Sequence, residues 1–486
     1  MNNSHLTPTR RTKIVATIGP ASASPEVIAA MIKNGLNVAR MNFSHGTHEG
    51  HSEVLQTVRR EARRLGRHIA VFQDLCGPKV RIGKVEDDKI PLIDGNEIRL
   101  CYATASSPLG NSDTIYVEAF DPVKVVKPGE KALLSDGQIE LVAERVTKDA
   151  VICRVSSGGE LRSRSGISVP ESQLDLPCIT EKDRKDVVWA VENKVDYIAL
   201  SFVASARDIV DLRRLIKELG GSIPIIAKIE RATSIDNMVE IIEASDAVMV
   251  ARGDLGLELP LEKVPSAQRL IIRTSNFRGT PVITATQMLR SMVHDARPTR
   301  AEVSDVFTAV RDGTDCVMLS EETAIGKNPG HVISVLDRIL REAERECQLE
   351  GQAPSFLGAD RSTVADAVCY ASAGAAEKLN AGAIVACTYS GYSARLMAKY
   401  RPRQPLYGFT TEESTLNRMS IYWGVQPVHV RSTDGTGAEE EITNALEVLR
   451  DEHNLKPGTR VVVTAGLRSQ QSGSTSLMQV REIPRP

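Results

Sequence analysis

Aromatic residues are scarce in this sequence, and neither sign of charge dominates. Phe, Trp and Tyr together make up 4% of the 486 residues. Lys and Arg number 60 against 62 Asp and Glu, which leaves a formal net charge of −2 at pH 7. A nucleic-acid surface needs a basic patch, commonly with rings that stack on bases. We therefore expect no nucleic-acid partner.

Long apolar runs are also absent. The sequence contains no run of about eighteen apolar residues, the length that a membrane helix needs, and residues 1–11 lack the apolar core of a secretory signal. The eight cysteines never occur as C-x-x-C, which argues against a structural zinc site and a disulfide framework. We expect reduced thiols, no membrane association and a cytoplasmic location.

What the sequence does contain is a regular alternation of two hydrophobic periods. Strand-like apolar runs occur eight times, at residues 13–18, 37–41, 69–73, 196–201, 224–229, 247–250, 281–284 and 315–319. Helical patterns lie between most of them, at 25–34, 49–65, 181–193, 206–219, 234–244 and 300–312. Eight β/α units predict an α/β fold, a (β/α)8 TIM barrel.

A segment between the third and fourth strands does not fit the alternation. It is far longer than a barrel loop, and its short β-like pieces are divided by turn signals such as those at 93–96, 127–130 and 135–137. These pieces predict an inserted small β-barrel domain that acts as a lid. The expected limits are 74–173 for the lid, and 1–73 and 174–348 for the two parts of the barrel.

A third domain is predicted after a linker-like stretch at 351–362. A helical pattern at 363–379 precedes strand patterns at 383–388, 405–409, 426–430 and 460–464, which favours an open α/β sheet over residues 349–486. The turn formed by Thr388, Tyr389, Ser390, Gly391, Tyr392 and Ser393 joins a strand to a helix. This turn is either a phosphate cradle at a helix N-terminus or an ordinary capped turn.

Charged residues follow two neighbouring barrel strands. Lys228 and Glu230 end one strand and, because strand side chains alternate, point the same way. Arg252 and Asp254 end the next and share a face if the chain stays extended. The two pairs are either structural ion pairs or a divalent metal site beside a cation.

Polar residues end most of the other strands as well. They are Arg40, Asn42, Ser44, Asp74, Ser201, Thr284, Thr286, Ser320 and Glu322. In a TIM barrel the catalytic groups come from the carboxyl ends of several strands. One such residue alone is an ordinary rim residue, but their accumulation predicts an active site at this end of the barrel.

Several long segments resemble the pyruvate kinase family. They are TIGPAS at 17–22, NVARMNFSHG at 37–46, IAKIE at 226–230, VARGDLG at 250–256, TATQML at 284–289, RPTRAE at 297–302, MLS at 318–320 and ETA at 322–324. The resemblance covers essentially the whole chain, including the insertion and the C-terminal domain.

The resemblance implies phosphoryl transfer from phosphoenolpyruvate to ADP, followed by protonation of the enolate. Glu230 and Asp254 carry over as magnesium ligands, Lys228 as the residue that stabilises the moving phosphoryl group, and Arg40 as the phosphate anchor. The remaining substrate contacts are Gly253, Asp254, Thr286 and Ser201. Thr286 also lies beside the protonation path, where a water relay is a better acid than its hydroxyl. The nucleotide-binding positions are Thr17, His45 and Arg81.

One departure from the family pattern concerns the monovalent cation. Asn42, Ser44 and Asp74 match family positions that hold it, but Leu75 stands where a ligating Thr is expected, and Lys79 stands where the family has a glutamate. We expect the Lys79 ammonium to supply this charge, so that Lys79 joins the catalytic set and potassium is not required. The alternative is a solvated surface lysine.

Family membership also implies regulation and assembly. A phosphorylated effector would bind residues 388–393 together with Arg468, Ser472, Gly473 and Ser474, and the chain would form a homotetramer. Two other functions stay open from the sequence. They are a barrel lyase that works through a magnesium enolate, and a non-catalytic metabolite sensor.

Overall fold

The computed structural model describes residues 10–78, 80–172, 174, 177–349, 363–430, 438–466 and 475–485. Its first part alternates strands with helices, in the order β1 (Lys13–Thr17), α1 (Pro25–Lys33), β2 (Val38–Asn42), α2 (His48–Arg64) and β3 (Ala70–Asp74). Both helices begin at capping residues, because the side chains of Ser24 and Thr47 accept hydrogen bonds from amides of the first turn.

The inserted segment folds as a β domain, as predicted. Its elements are β4 (Lys89–Leu92), β5 (Glu97–Tyr102), β6 (Thr114–Val117), α3 (Pro122–Val125), β7 (Lys131–Leu134), β8 (Ile139–Val146), β9 (Val151–Ser157), β10 (Gly159–Arg162) and β11 (Ile167–Ser168). Six strands form a sheet in the order β11-β7-β8-β9-β5-β6, and β4 pairs with β10. Isolated bridges from Ile82 to Val117 and from Arg81 to Gly166 link one short segment to both edges, so the sheet curls on itself.

The chain then returns to the barrel. The elements are α4 (Glu181–Glu192), β12 (Tyr197–Leu200), α5 (Ala206–Glu218), β13 (Ile225–Ile229), α6 (Ala232–Asp236), α7 (Met238–Ala244), β14 (Ala247–Ala251), α8 (Arg252–Glu258), α9 (Val264–Arg278), β15 (Val282–Ala285), α10 (Arg300–Asp312), β16 (Cys316–Leu319), α11 (Glu321–Ala324) and α12 (Pro329–Leu349). Short 3-10 turns lie at Glu86–Asp88, Leu261–Lys263, Arg290–Val293 and Met419–Ile421.

Eight parallel strands close the barrel, in the ring order β1-β2-β3-β12-β13-β14-β15-β16. All eight strands predicted from the sequence are present, each within two residues of its expected limits. The helix predicted at 234–244 is instead two helices, because the backbone leaves helical geometry at Asn237 (φ −95°, ψ 13°).

Alternation along the strands divides their side chains between two cores. Residues such as Val15, Phe72 and Ile226 point into the barrel and form one cluster with residues of the C-terminal domain. Residues such as Ile14, Val71 and Ile225 point outward and pack under the helices. Functional groups at the strand ends continue the inward-facing rows.

The C-terminal domain is an α/β sheet. Its elements are α13 (Val364–Lys378), β17 (Ala383–Cys387), α14 (Tyr392–Lys399), β18 (Leu406–Thr410), α15 (Glu413–Arg418), β19 (Val425–His429), α16 (Ala438–Asp451), β20 (Arg460–Gly466) and β21 (Thr475–Glu482). The strand order is β19-β18-β17-β20-β21, with β21 antiparallel to β20. The four predicted strands are confirmed, and β21 was not predicted.

All eight cysteines lie in the described ranges and are free thiols. Among the same residues, no helix combines the length and apolarity needed to cross a bilayer.

Candidate active site

Lys228 lies at the centre of the polar groups at the carboxyl end of the barrel. Its Nζ is 2.9 Å from Glu230 Oε1 and 3.2 Å from Asp74 Oδ1, and it donates to Ser201 Oγ at 2.7 Å. Lys228 lies in β13 and Glu230 directly after it, Asp74 ends β3, and Ser201 directly follows β12. The predicted shared face of Lys228 and Glu230 is therefore confirmed.

Arg40 joins this cluster from β2. Its Nε donates to Asp74 Oδ2 at 2.7 Å, and its Nη1 donates to Thr17 Oγ1 at 2.9 Å. Asp74 is 1% exposed, and each of its oxygens faces one cation: Oδ2 faces Arg40 and Oδ1 faces Lys228. Buried charges are tolerated when they are paired in this way. The result is two fixed positive charges whose remaining N–H donors can face an anionic substrate.

The charges of the cluster change the pKa values of its members. Burial by itself lowers the pKa of Lys228, but the surrounding carboxylates, Asp74 first, raise it above the ordinary lysine value. Burial opposes ionisation of Asp74, yet Lys228 and Arg40 lower its pKa. Lys228 is therefore a fixed ammonium and not a proton donor at neutral pH.

Glu230 has the opposite environment. Burial raises its pKa, the charge of Asp254 raises it further, and Lys228 only partly compensates. Its Oε2 accepts from the amide of Phe202 at 2.7 Å, and its buried Oε1 lies 2.9 Å from the Lys228 ammonium. The single positive charge of Lys228 does not offset burial and the neighbouring Asp254 charge.

The structure corrects the expectation for Arg252. Strand β14 ends at Ala251 and α8 begins directly after it, so the chain does not stay extended and Arg252 and Asp254 do not share a face. The Arg252 guanidinium pairs with Asp305 of α10 at 2.6 Å, while Asp254, in the first turn of α8, lines the cleft under the β domain.

Thr286 and Gly253 meet beside the cluster. The amide of Gly253 donates to Thr286 Oγ1 at 2.8 Å, and that hydroxyl donates to the carbonyl of Ala285 at 2.6 Å. Thr286 has a φ of +71°, a left-handed conformation that is rare for a β-branched residue. Two neighbouring strand ends, those of β14 and β15, are thus joined at the site.

A cleft of about 470 Å³ separates the β domain from the barrel rim. Glu230, Asp254 and Phe202 line it from the barrel, and Arg81 and Asp136 line it from the β domain. The volume lies in the range of small-molecule sites. The lid position predicted for the insertion is consistent with this cleft.

The donor set suits Mg²⁺. Among the residues the structure describes, no group of three or more His, Cys, Asp and Glu side chains is arranged to hold a metal. Mg²⁺, however, is commonly held by one or two carboxylates together with water and substrate phosphates. Glu230 and Asp254 line one cleft, and their carboxylate oxygens are donors of the type the ion prefers, so the residues fit the ion.

The family positions for a monovalent cation are partly used by other contacts. Asn42 Oδ1 accepts from the Ser44 amide at 3.2 Å, and both oxygens of Asp74 face cations. Leu75 is 1% exposed and offers no side-chain oxygen. Lys79 lies outside the described residues.

The three residues expected at the nucleotide differ in exposure. Arg81 lines the cleft and donates to the carbonyl of Arg164 at 2.7 Å. His45 is exposed in the loop after β2. Thr17 is 4% exposed, and its hydroxyl is held between Arg40 and the carbonyl of Leu319. Thr17 therefore orients Arg40 and is not among the residues that line the cleft.

Two further rim residues have structural contacts. Glu322 accepts from the amides of Leu289 and Ser320 and so ties the loop after β15 to the end of β16. Thr284 donates to Thr314 Oγ1 inside the barrel wall. Neither reaches the Lys228 cluster.

The predicted effector loop is only partly described. Gly391 precedes α14 as its N-cap in a left-handed conformation, and its amide donates to Thr388 Oγ1 at 3.0 Å. Ser393 is buried against Thr475, whereas Tyr389 is largely exposed. Arg468, Ser472, Gly473 and Ser474 lie outside the described residues.

Glu258 is not among the residues predicted from the sequence. This residue lies one helical turn after Asp254 on α8, lines the same cleft, and accepts from Ser168 Oγ of the β domain at 3.2 Å. Burial raises its pKa. The spacing of four residues between Asp254 and Glu258 places both on one face of a helix. The prediction of an extended segment here hid this relationship.

Comparisons with known proteins agree with this geometry. The family model described as the pyruvate kinase barrel domain matches residues 9–333, and the pyruvate kinase alpha/beta domain matches residues 366–481. The chain belongs to the pyruvate kinase family. Its relatives include pyruvate kinase 2 of Synechocystis sp., 41% identical over 98% of this chain and 79% of that protein, and the pyruvate kinase of Geobacillus stearothermophilus, 40% identical over 98% and 80%.

Solved structures give the same result. A crystal structure of a pyruvate kinase from Cryptosporidium parvum matches with a TM-score of 0.91 and 35% identity, and it covers 98% of this chain and 96% of that one. The chain is accordingly a phosphotransferase of the pyruvate kinase family. This family membership disfavours the lyase and the metabolite sensor.

Proposed function

We propose that this enzyme transfers the phosphoryl group of phosphoenolpyruvate to ADP, giving ATP and pyruvate, at the Lys228 cluster. The observation that carries the proposal is the Lys228 ammonium within 3.2 Å of Asp74, Glu230 and Ser201, at the carboxyl end of the barrel. Phosphoryl transfer has a loose transition state, so the protein contributes mainly position and charge.

The substrate phosphate is held from one side by Arg40 and Lys228. Both cations are anchored on Asp74, so they enter the reaction already oriented. Lys228 also neutralises the enolate oxygen that forms when the P–O bond breaks. The amides of Gly253 and Asp254 and the Thr286 hydroxyl are the proposed donors to the substrate carboxylate. The carboxylate would replace the contact of the Gly253 amide with Thr286 Oγ1 and the contact of that hydroxyl with the Ala285 carbonyl.

Glu230 and Asp254 are the proposed magnesium ligands. When bound, Mg²⁺ would neutralise and orient the phosphate oxygens. The nucleotide enters from the β-domain side of the cleft, where Arg81 faces the barrel carboxylates. His45 and Thr17 remain predicted nucleotide positions, with Thr17 acting through Arg40.

The second half of the reaction adds a proton to C3 of the enolate. A threonine hydroxyl is a weak acid, so Thr286 is proposed to align a water relay and not to supply the proton itself. Closure of the β domain over the cleft excludes bulk water and protects the phosphoryl group from hydrolysis.

Substitution of Lys228 tests the proposal. Lys228→Met is expected to lower kcat for ATP formation by at least about a thousandfold, because the charge acts in the transition state. Lys182→Met is the matched control, since Lys182 pairs with Asp186 on α4 at 2.6 Å and lies outside the cluster. A coupled pyruvate-release assay with ADP and Mg²⁺ measures both. Near-normal kcat in Lys228→Met would contradict the proposed function.

Potassium independence is a further proposal. It is supported by the buried, non-ligating Leu75 and by the engagement of both Asp74 oxygens. Activity in magnesium buffer free of sodium and potassium is expected to equal activity with added potassium. Lys79→Glu should introduce a potassium requirement, whereas strong activation of the unmodified enzyme by potassium would refute the proposal.

Allosteric control by a phosphorylated metabolite is proposed for the loop that precedes α14. A cavity of about 520 Å³ supports it, since Ser390, Tyr392 and Arg395 line it from the C-terminal domain, and Arg213 and Lys217 line it from the barrel. A change in the KM for phosphoenolpyruvate on adding a sugar phosphate or a nucleoside monophosphate, lost in Lys217→Met, is the expected result.

Assembly, location and domain limits complete the proposal. A homotetramer and a cytoplasmic location are proposed on the basis of family membership, and light scattering tests the first. The domain limits stay at 1–73 and 174–348 for the barrel, 74–173 for the lid and 349–486 for the C-terminal domain.

A further inference from the structure

The guanidinium of Arg252 contacts both carbonyls that flank the Thr286 nitrogen and Cα. Its Nε donates to the Ala285 carbonyl at 3.1 Å, and its Nη2 donates to the Thr286 carbonyl at 2.6 Å. The third nitrogen, Nη1, contacts the Asp305 carboxylate at 2.6 and 2.7 Å. All three guanidinium nitrogens are therefore engaged.

These contacts act on a strained piece of backbone. Thr286 and Gln287 have φ values of +71° and +53°, and two successive non-glycine residues in this region persist only where the surroundings enforce it. Arg252 provides such enforcement, because a planar fork that binds two successive carbonyls fixes the direction of the peptide between them. A single ammonium has no such geometry.

The conformation that Arg252 enforces determines where the Thr286 hydroxyl lies. That hydroxyl accepts the Gly253 amide at 2.8 Å, and Gly253 follows Arg252 in the chain. One side chain thus links the loop after β15 to the start of α8. The same turn of α8 carries Asp254.

We propose that Arg252 is a positioning residue that acts through Thr286: its fork, anchored on Asp305, holds the Thr286 hydroxyl and the Gly253 amide beside the Lys228 cluster, where the substrate carboxylate takes the place of their contact with each other. The inference rests on the proposed role of Thr286. Arg252 itself does not reach the reacting atoms, because its donors are directed to the two carbonyls and to α10.

A double-mutant cycle with Arg252→Lys and Thr286→Val tests this inference. Arg252→Lys keeps the charge but loses the fork, and it is expected to lower kcat/KM for phosphoenolpyruvate by at least tenfold, with the same division between kcat and KM as Thr286→Val. In the Thr286→Val background, Arg252→Lys should add no more than about a twofold further loss. Fold-losses that multiply in the double variant would overturn the inference.

Two controls separate positioning from general stability. Arg401→Lys is the matched arginine, since Arg401 pairs with Asp315 at 2.8 Å and donates to the Gly313 carbonyl; its kcat/KM should stay within about twofold of the unmodified enzyme. An equal loss in Arg401→Lys would count against positioning. If Arg252→Lys does not fold, Asp305→Asn is measured in its place. This variant is expected to show a smaller loss of kcat/KM, and that loss should again be absent in the Thr286→Val background.

The cycle also distinguishes this inference from the proposed function. If Thr286→Val alone leaves kcat/KM unchanged, the assigned role of Thr286 is wrong and the inference fails with it. If Thr286→Val is impaired while Arg252→Lys is not, the role of Thr286 stands and only the inference about Arg252 is wrong.

Discussion

Asp74 carries the charge balance of the active site. It is buried, and each of its oxygens faces a different cation, Arg40 on one side and Lys228 on the other. Removing a carboxylate from such a group leaves two buried cations with fewer partners, which is more costly than the loss of an exposed ion pair. We therefore expect this one residue to affect both stability and the orientation of Arg40 and Lys228, the two cations proposed to bind the substrate.

We predict that Asp74→Asn lowers the free energy of unfolding by about 3 to 5 kcal/mol and strongly lowers kcat. Asp196→Asn is the control, because Asp196 is equally buried and pairs with Arg59 at 2.6 Å at the other end of β12. It should be destabilised while kcat is retained. Denaturant unfolding and steady-state kinetics measure the two effects, and equal loss of kcat in both variants would contradict the prediction.

The pH dependence of the same substitution has a defined sign. The pKa of Asp74 is lowered in the folded enzyme. The contribution of this carboxylate to the free energy of unfolding is therefore fully present above its pKa in the unfolded chain, about 3.9, and is lost as the pH falls through its pKa in the folded enzyme. The stability difference between the unmodified enzyme and Asp74→Asn should accordingly shrink below about pH 4.

At the scale of elements, the N-terminal turn of α8 carries the backbone amides that are proposed to bind the substrate. Gly253 and Asp254 lie in that turn. A Cβ built on Gly253 would stand 3.6 Å from Thr286 Oγ1 and Cγ2, which is ordinary contact. The fold therefore tolerates a methyl group there, whereas a substrate that approaches the amide would not.

We predict that Gly253→Ala folds normally but raises the KM for phosphoenolpyruvate by at least about tenfold, since it loses substrate binding of roughly 1.4 kcal/mol or more. Gly256→Ala, on the same helix with its nearest contact 3.4 Å away at Leu261, is the matched control. Its KM should not change, and its stability should be equal or higher. An unchanged KM in Gly253→Ala would show that the amide is not at the substrate.

At the scale of the whole molecule, the β domain and the C-terminal domain contact opposite ends of the barrel. The β domain covers the carboxyl end and contacts α8 through Ser168 and Glu258. The C-terminal domain shares its core with the barrel interior at the amino end. The proposed catalytic site and the proposed effector site therefore lie towards opposite ends of the same eight strands.

We predict that replacing residues 80–172 by a short Gly-Ser linker leaves the barrel folded but nearly abolishes ATP formation. The β domain has its own core, so the barrel does not depend on it for packing, but the cleft loses the wall that excludes water. Circular dichroism and the coupled assay measure the two outcomes. Undiminished ATP formation would contradict the lid assignment.

The amino end of the barrel contains a buried lysine. Lys13 donates to the Val425 carbonyl of the C-terminal domain at 2.7 Å, and burial, followed by the charge of Arg10, lowers its pKa to about 8. The negative charge of Glu344 acts in the opposite direction. The unfolded chain thus binds this proton more tightly than the folded enzyme does.

We predict that the unmodified enzyme gains stability relative to Lys13→Met as the pH rises from about 8 to 10.5, by about 3 kcal/mol. The sign follows because stability rises with pH wherever the unfolded state binds more protons. Lys33→Met, at an exposed position at the end of α1, should keep the pH dependence of the unmodified enzyme. Parallel stability curves for Lys13→Met and the unmodified enzyme would disprove the prediction.

The sequence by itself determined the barrel, its two additional domains and the shared face of Lys228 and Glu230. These features depend on local periodicity, because a period of two or 3.6 dictates which side of an element is buried. The tertiary structure alone decided the direction of Arg252, the two-sided pairing of Asp74 and the role of Glu258. Each of these depends on where segments that are distant in the chain come into contact. Local hydrophobic periodicity does not specify such contacts, and it leaves the conformation of the chain after Ala251 ambiguous.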